Sequence, residues 1–577
     1  MIILGISLNS HDSGAAVIRD GKIIAAINEE RLSRIKMDGN PPVLSIAKVL
    51  EISGITPKQV DIIALSDFPF GLKRDFLFFW QQHQRVWFTR LAYLKSFYTF
   101  KSFDRARFMR QSGLNGLRSS WRTRRDTKRL IAQLREQGFS GNVELVDHDL
   151  AHASSAYYTS GYSDAFVGIV EGSSFTNACS YWKPNKEGKL EKVGEVPLPH
   201  SPGRYYEIVT LILGFHPKKH GGKITGLAAL GNPAVCYNKV SDLLYFKEGS
   251  IHVGRALYAL HDEYFARGRK LPQRFEHDTR ENIAAAFQKR LEDVIVEQFM
   301  YLATKHSLTH LALSGGVFAN VKLNMEISKL PQVKDIFIHP GMGDVGQALG
   351  SALTVYARHN PSFKPFKLKN VYFGPEYTSA EIEQTLQREG VRYEKVHNIA
   401  ERVGQLLAAN KVVGFFTGRM EYGPRALGNR TIMYPAVDPH VNDWLNKQLN
   451  RTEFMPFAPV TLAERAKDCY KGIDKALQAA RFMTITADVT EYMKKNMAAA
   501  VHVDGTARPQ LIDRDTNPTY YDAIKTYEKL TGLPAVINTS FNMHEEPIVC
   551  TPLEALHAYQ ASHLDALAVG DFLVLKQ

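Results

Sequence analysis

Apolar and polar positions alternate from the first residues of the chain. ILGISL, then AAVIRD after a polar turn SHDSG, then KIIAAINEE after Asp20-Gly21, read as three strands joined by tight turns. MIILGISLNS lacks a basic head and a cleavage site, so it reads as the first strand and not as a signal peptide. SIAKVLEISG has helical periodicity, while VDIIALS, VELV and DAFVGIVEG read as buried strands. HLALSGGVFANVKLN and DIFIHPGMGDVGQALGSAL each show a strand, a glycine-rich turn and a helix start, an order that turns backbone N–H groups toward phosphates. This repetition suggests an α/β core with two related halves around a nucleotide cleft. Residues 361–388, rich at first in proline and lysine, read as a linker, and KVVGFFTG opens a second α/β domain over 389–577.

Composition narrows the class. A chain of 577 residues with 44% hydrophobic and 23% charged residues suits a soluble protein of several domains. There is no run of about 18 apolar residues, so no membrane span is expected. Four scattered cysteines argue against a disulfide framework and suit a reducing cytoplasm. The net charge of +12 raises a polyanion as partner, yet residues 101–130 alone hold ten Lys/Arg against two Asp. A solvated helical face accounts for such a run, and no DNA-binding motif accompanies it. Residues 68–100 interleave aromatics with Lys and Arg and read as a flap or subdomain, either packed in a core or facing substrate.

Several constellations carry chemistry. His148 and His152 lie four apart, on one helix face if VDHDLAHASSA is helical, and both rings can reach one cation. With 20 histidines in the chain, one such pair arises by chance, so its meaning rests on what surrounds it. His11 and Asp12 occupy a turn, where His11 can serve as general base or simply bond within the turn. HGGKITGLAALG has too many glycines for a plain helix and reads as a loop approaching a ligand, with Lys223 for charge. Gly315 and Gly316 permit close approach beside Asn320, and Asp344 is either a helix cap or a ligand. In the second domain Arg419, Arg425 and Arg430 in GRMEYGPRALGNR, with Arg451 and Arg508, suggest a phosphorylated substrate. Asn538, Ser540 and Asn542 offer neutral donors and acceptors suited to an amide.

GISLNSHDSGAAVI, EERLSRIK, HDLAHA, GKITGLAALG, SGGVFAN, GDVGQA, GRMEYGPRALGNR, FMPFAP, RPQ, NTSFN and EEPIVCTP occur in this order. Together they resemble the ATP-dependent O-carbamoyltransferases, which include the tobramycin, cephamycin and nodulation-factor carbamoylating enzymes. The resemblance covers the chain apart from an insertion at about 68–140. It implies an actin-like ATPase domain, similar to threonylcarbamoyl transferases, over 1–360, followed by a YrdC-like domain. It also implies two steps: carbamoyl-adenylate formation from carbamoyl phosphate and ATP, then transfer to a hydroxyl of a small-molecule acceptor. By the same resemblance His148, His152 and Asp344 would hold a divalent metal, Fe2+ first, with Zn2+ and Mn2+ as alternatives. Lys36, Arg419, Arg425, Arg451, Arg508, Asn538 and Ser540 would bind carbamoyl phosphate. Gly172, Lys223, Gly226, Gly315, Gly316 and Asn320 are the candidate nucleotide contacts, and His11 with Asp12 the catalytic pair. The family's Asp-Gly after the third strand is Glu171-Gly172 here, which leaves Glu171 in question as a metal ligand. A homodimer is compatible with the family, and nucleic acid is not the expected partner. The rival readings are a tRNA threonylcarbamoylation-type enzyme and a nucleotide-regulated actin-like binding protein.

Overall fold

A computed structural model describes residues 1–8, 11–67, 125–172, 177–440, 447, 457–562 and 564–576. Most of the aromatic and basic insertion, and Arg451, lie outside the described residues.

The opening alternation forms the meander it suggests: β1 (Ile2–Ser7), β2 (Gly14–Arg19) and β3 (Lys22–Asn28) are antiparallel. β4 (Ile62–Asp67) adds parallel to β1, and β5 (Asn142–Asp147) parallel to β4, giving the order β3-β2-β1-β4-β5. β1 is apolar almost throughout because both faces are covered. Leu4 and Ile6 pack with Ile46, Val49 and Leu50 of helix Val43–Ser53. Ile3 packs on the other side with Leu349 and Leu353 of helix Gln347–His359. Burying each such side chain contributes about 1.5–3 kcal/mol.

The second sheet repeats this plan. β6 (Phe166–Val170), β7 (Asn177–Pro184) and β8 (Leu190–Pro197) form an antiparallel meander. A small hairpin of β9 (Leu244–Lys247) and β10 (Ser250–Val253) follows. β11 (His310–Ser314) then joins parallel to β6, and β12 (Asp335–Ile338) parallel to β11. The order β8-β7-β6-β11-β12 matches the first sheet strand for strand. Two related halves are therefore present, as an actin-like domain requires. They are two whole sheets, whereas the two glycine-rich turns noticed in the sequence follow adjacent strands of one sheet.

HGGKITGLAALG is not a loop: Gly221–Ala228 is helical. Ile224 and Leu227 are buried in a core shared with the long helix Arg280–Ala303. That burial outweighs the helix cost of glycine, about 1 kcal/mol per residue. The expected linker also carries structure, since helix Ser379–Arg388 opens with a Thr378/Glu381 capping box and buries Ile382 and Leu386.

The second domain is one eight-stranded mixed sheet. Its strands are β13 (Glu394–Lys395), β14 (Val413–Phe416), β15 (Arg430–Pro435) and β16 (Ala458–Leu462), followed after a short pair, β17 (Ala487–Asp488) and β18 (Thr506–Ala507), by β19 (Gln510–Ile512), β20 (Ala535–Ser540), β21 (Ala566–Val569) and β22 (Phe572–Leu575). The order is β13-β22-β21-β14-β15-β20-β16-β19. The chain as a whole is mixed α/β. All four cysteines are buried and unbridged, and among the described residues no helix is long and apolar enough to cross a membrane.

Candidate active site

β5 ends at Asp147, whose carboxylate caps helix His148–Ser160 by accepting from the N–H groups of Asp149 and Leu150. His148 and His152 therefore sit one turn apart at the start of that helix, on a common face, with ring centroids 4.8 Å apart. Helix Gln347–His359 lies against the same helix. A Cβ on Gly350 would stand 1.9 Å from the Ala151 carbonyl oxygen, so only glycine allows this approach. The short turn Asp344–Gly346 leading into that second helix brings Asp344 over both histidines.

Asp344 turns its carboxylate toward three histidines. Its Oδ1 lies 3.4 Å from His148 Nε2 and 3.3 Å from His152 Nε2, and its Oδ2 lies 3.4 Å from His11 Nδ1. Donor atoms of His148, His152 and Asp344 fall within 4.8 Å of one another. Two buried imidazole nitrogens converging on one oxygen of a partly buried carboxylate form a donor set that suits a divalent transition metal. Glu171 sits at its edge, with Oε1 3.3 Å from His152 Nε2 and 2.6 Å from the Gly316 N–H that donates to it. The glutamate thus ties the histidine cluster to the Gly315–Gly316 turn.

Charges respond to this crowding. For Asp344, burial acts to raise the carboxyl, but the adjacent rings of His148 and His152 hold it well below the usual carboxylate range. Burial raises Glu171. For His11, burial disfavours the charged ring, yet the bond to Asp12 and the fields of Asp344 and Asp12 prevail and push it up to about 9.

The other expected residues divide. Arg508 lines a cavity of about 270 Å³ between the two domains. Thr225, Gln288 and Lys322 face it from the first domain, and Phe457 and His502 from the second. Burial pushes Glu292, on the same wall, up to about 6. Asn320 caps helix Val321–Ser328 and exchanges hydrogen bonds with Gln288 beneath this cavity. Gly226 and Lys223 are buried in their helix, with Lys223 Nζ 6.0 Å from the Phe215 ring centre. Gly315 adopts φ +109°.

Arg419 stands apart from the cavity and donates to the carbonyls of Ile24, Phe373 and Gly374. Arg430 is fully buried, stacks 3.7 Å over Phe416 and donates to the carbonyls of Thr417, Gly418, Asn429 and Pro375. These two arginines brace backbone, so their guanidinium groups do not join Arg508. Arg425 is half-buried on the same loop. Asn538 is buried, donating to Ala426 and Gln510 and accepting from Thr431. Ser540 ends β20. Lys36 is half-buried; at Glu545, across the domain boundary, burial acts to raise the carboxyl, but the bond with His220 and then the Lys36 charge hold it low. Gly172 follows Glu171 after β6, where its N–H lies 3.3 Å from Glu171 Oε2. Ser66, Ser314 and Gln347, which touch the histidine cluster, escaped the sequence reading.

Residues 2–353 match the carbamoyltransferase N-terminus and residues 404–576 the carbamoyltransferase C-terminus. The chain belongs to the carbamoyltransferase family. Its relatives include the uncharacterized protein sll1178 of Synechocystis, 30% identical over all of this chain and 96% of that protein. Nodulation protein NolNO of Sinorhizobium fredii is 30% identical over 98% of this chain and 79% of its own. Among solved structures, full-length HypF in its phosphate- and nucleotide-bound form shares 10% identity and a TM-score of 0.34, covering 63% of this chain and 56% of that one. This carbamoyltransferase therefore joins its two family domains in one chain.

Proposed function

We propose that this carbamoyltransferase makes carbamoyl-adenylate from carbamoyl phosphate and ATP and passes the carbamoyl group to a hydroxyl of a small molecule. The observation that carries this reading is His11, set beside Asp12 and turned toward the His148/His152/Asp344 cluster. In the first step water attacks the carbamoyl carbon of carbamoyl phosphate and phosphate leaves, and an oxygen of the resulting carbamate then attacks the α-phosphorus of ATP and displaces pyrophosphate. Arg508, at the wall of the interdomain cavity, is suited to balance phosphate charge there. Ser540 and Arg425, with Arg451 and Lys36, are further candidates for holding the carbamoyl phosphate.

In the second step the acceptor oxygen attacks the carbamoyl carbon, the bond to AMP breaks, and the acceptor proton goes to His11. With Nδ1 turned to Asp12 and Asp344, Nε2 is the nitrogen available to the hydroxyl. A ring held up to about 9 is a poor base, so His11 becomes competent only where the pull of Asp12, and after it that of Asp344, is offset. His148, His152 and Asp344 would hold a divalent cation, with Fe2+ first in our assignment, which when bound neutralises phosphate charge. The N–H of Gly316 offers a further phosphate donor once Glu171 releases it, while that of Gly315 is spent on the Met342 carbonyl.

The test is pyrophosphate release from ATP by the purified protein, with and without carbamoyl phosphate and with no acceptor. Release that needs carbamoyl phosphate, persists in His11→Ala and falls at least tenfold in Arg508→Ala is the expected result. Release independent of carbamoyl phosphate would sink the adenylate mechanism.

A further inference from the structure

The histidine cluster is held by a buried hydrogen-bond relay that reaches across the fold. Ser66, at the end of β4, donates to Gln347 Oε1 at 2.5 Å, although the two residues are 281 positions apart. Gln347 Nε2 lies 2.9 Å from Asp344 Oδ1 and 2.9 Å from His152 Nε2. On the other edge of the ring, His152 Nδ1 lies 3.2 Å from Ser314 Oγ, and Ser314 donates its own proton to the Met342 carbonyl at 3.0 Å. Ser66, His152, Ser314 and Gln347 are each at most 1% exposed.

The donor and acceptor roles in this relay follow from chemistry. Asp344 Oδ1 only accepts, so the Gln347 atom beside it must be the amide nitrogen. The amide oxygen then faces Ser66, which supplies the matching proton. Ser314 has committed its proton to Met342, so it accepts from His152 Nδ1. His152 is thereby a donor at Nδ1 and carries its lone pair at Nε2, the nitrogen aimed at Asp344. In the neutral ring these two bonds select the same tautomer, against Asp344 Oδ1 and Glu171 Oε1, which each lie 3.3 Å from Nε2 and favour a proton there.

We propose that Gln347, oriented by Ser66, is a positioning residue for the cation site, presetting the ligating tautomer of His152 and the rotamer of Asp344. When a cation takes the His152 lone pair, the Gln347 amide keeps its bond to Asp344, so the relay serves the empty and loaded states alike. Partners of this kind fix ring orientation and tautomer in metal sites, and losing one typically weakens metal affinity about 10- to 100-fold. The inference rests on the cation site proposed above.

The experiment is cobalt(II) titration of the full chain, followed by visible absorption, for wild type, His152→Ala, Gln347→Leu, Ser66→Ala and Ser66→Thr, with thermal midpoints recorded alongside. We expect Gln347→Leu to weaken cobalt binding about 10- to 100-fold and to alter its absorption bands. Ser66→Ala should lose part of the affinity, and Ser66→Thr, which keeps the hydroxyl, should retain it. Wild-type affinity and bands in Gln347→Leu would overturn the proposal, as would equal behaviour of Ser66→Ala and Ser66→Thr. If Gln347→Leu fails to fold, the two Ser66 variants decide. Cobalt binding unchanged in His152→Ala would instead remove the cation site itself.

Discussion

Asp344 faces three imidazoles, and what surrounds each explains how much of the site a sequence can disclose. The i,i+4 spacing of His148 and His152 is a local fact, and the Asp147 cap that starts their helix is equally local. Both were legible. The relay of Ser66, Ser314 and Gln347 was not, because serine and glutamine are common and their partners lie far away in the chain. The arginines of GRMEYGPRALGNR show the opposite failure. Their number suggested phosphate, but Arg430 and Arg419 spend their donors on backbone carbonyls, several of which also accept a backbone N–H. A residue type alone does not distinguish an anion from a backbone oxygen. Outside the site, His200 makes a prediction. Its Nδ1 accepts from the Val253 N–H at 3.1 Å, and burial first, then the adjacent His252, lower it from 6.5 to about 4. The folded state thus binds fewer protons than the unfolded one between those values. Stability contributed by neutral His200 is full above about pH 6.5, falls as pH drops, and levels off below about 4. His200→Asn keeps an acceptor for Val253 without titrating. Its thermal midpoint should fall less steeply than the wild type's from pH 7 to 4; parallel curves would rule His200 out as a source of acid sensitivity.

Short apolar runs bounded by turn residues were the most legible elements. β1 to β3 follow the pattern because each face of that meander meets its own core. Glycine content misled where burial decided: residues 221–228 are helical because Ile224 and Leu227 have a long helix to pack on. At the turn after β11 glycine is required by the backbone conformation and by a close neighbour strand. Gly315 has φ +109°, and a Cβ there would stand 2.3 Å from the Val170 carbonyl oxygen. The backbone conformation alone costs a non-glycine residue about 1–3 kcal/mol, and the clash adds to it. Gly315→Ala should therefore lower the thermal midpoint by several degrees. It should also shift the Gly316 N–H from Glu171. An alanine variant with unchanged stability would show that this turn relaxes freely.

Between the domains the sequence was nearly silent, since docking depends on surfaces that no local pattern marks. Met420, Ala426, Ile548 and Cys550 of the second domain complete the core of the first sheet. Around that apolar seam, Arg31 donates to the Gly423 carbonyl at 2.8 Å. Arg34 spans the seam with a fork, donating to the carbonyls of Pro547 and Ile548 at 2.7 Å each and pairing with Glu554 at 3.3 Å. Both arginines belong to EERLSRIK, a stretch that the resemblance linked to carbamoyl phosphate through Lys36. The structure gives its arginines the separate task of fixing one domain on the other, which also fixes the walls of the cavity that holds Arg508. A hydrogen bond from a charged donor is worth about 1.5–3 kcal/mol, so Arg34→Ala should remove about 3 kcal/mol from docking. Calorimetry should then show the domains melting further apart in temperature than in wild type. Arg34→Lys keeps the charge toward Glu554 but cannot bond two carbonyls as a fork, and should fall between the two. If Arg34→Lys melts as wild type does, the ion pair alone holds the seam and the fork is dispensable. If Arg34→Ala does so as well, the apolar contacts of Met420, Ala426, Ile548 and Cys550 suffice to dock the domains.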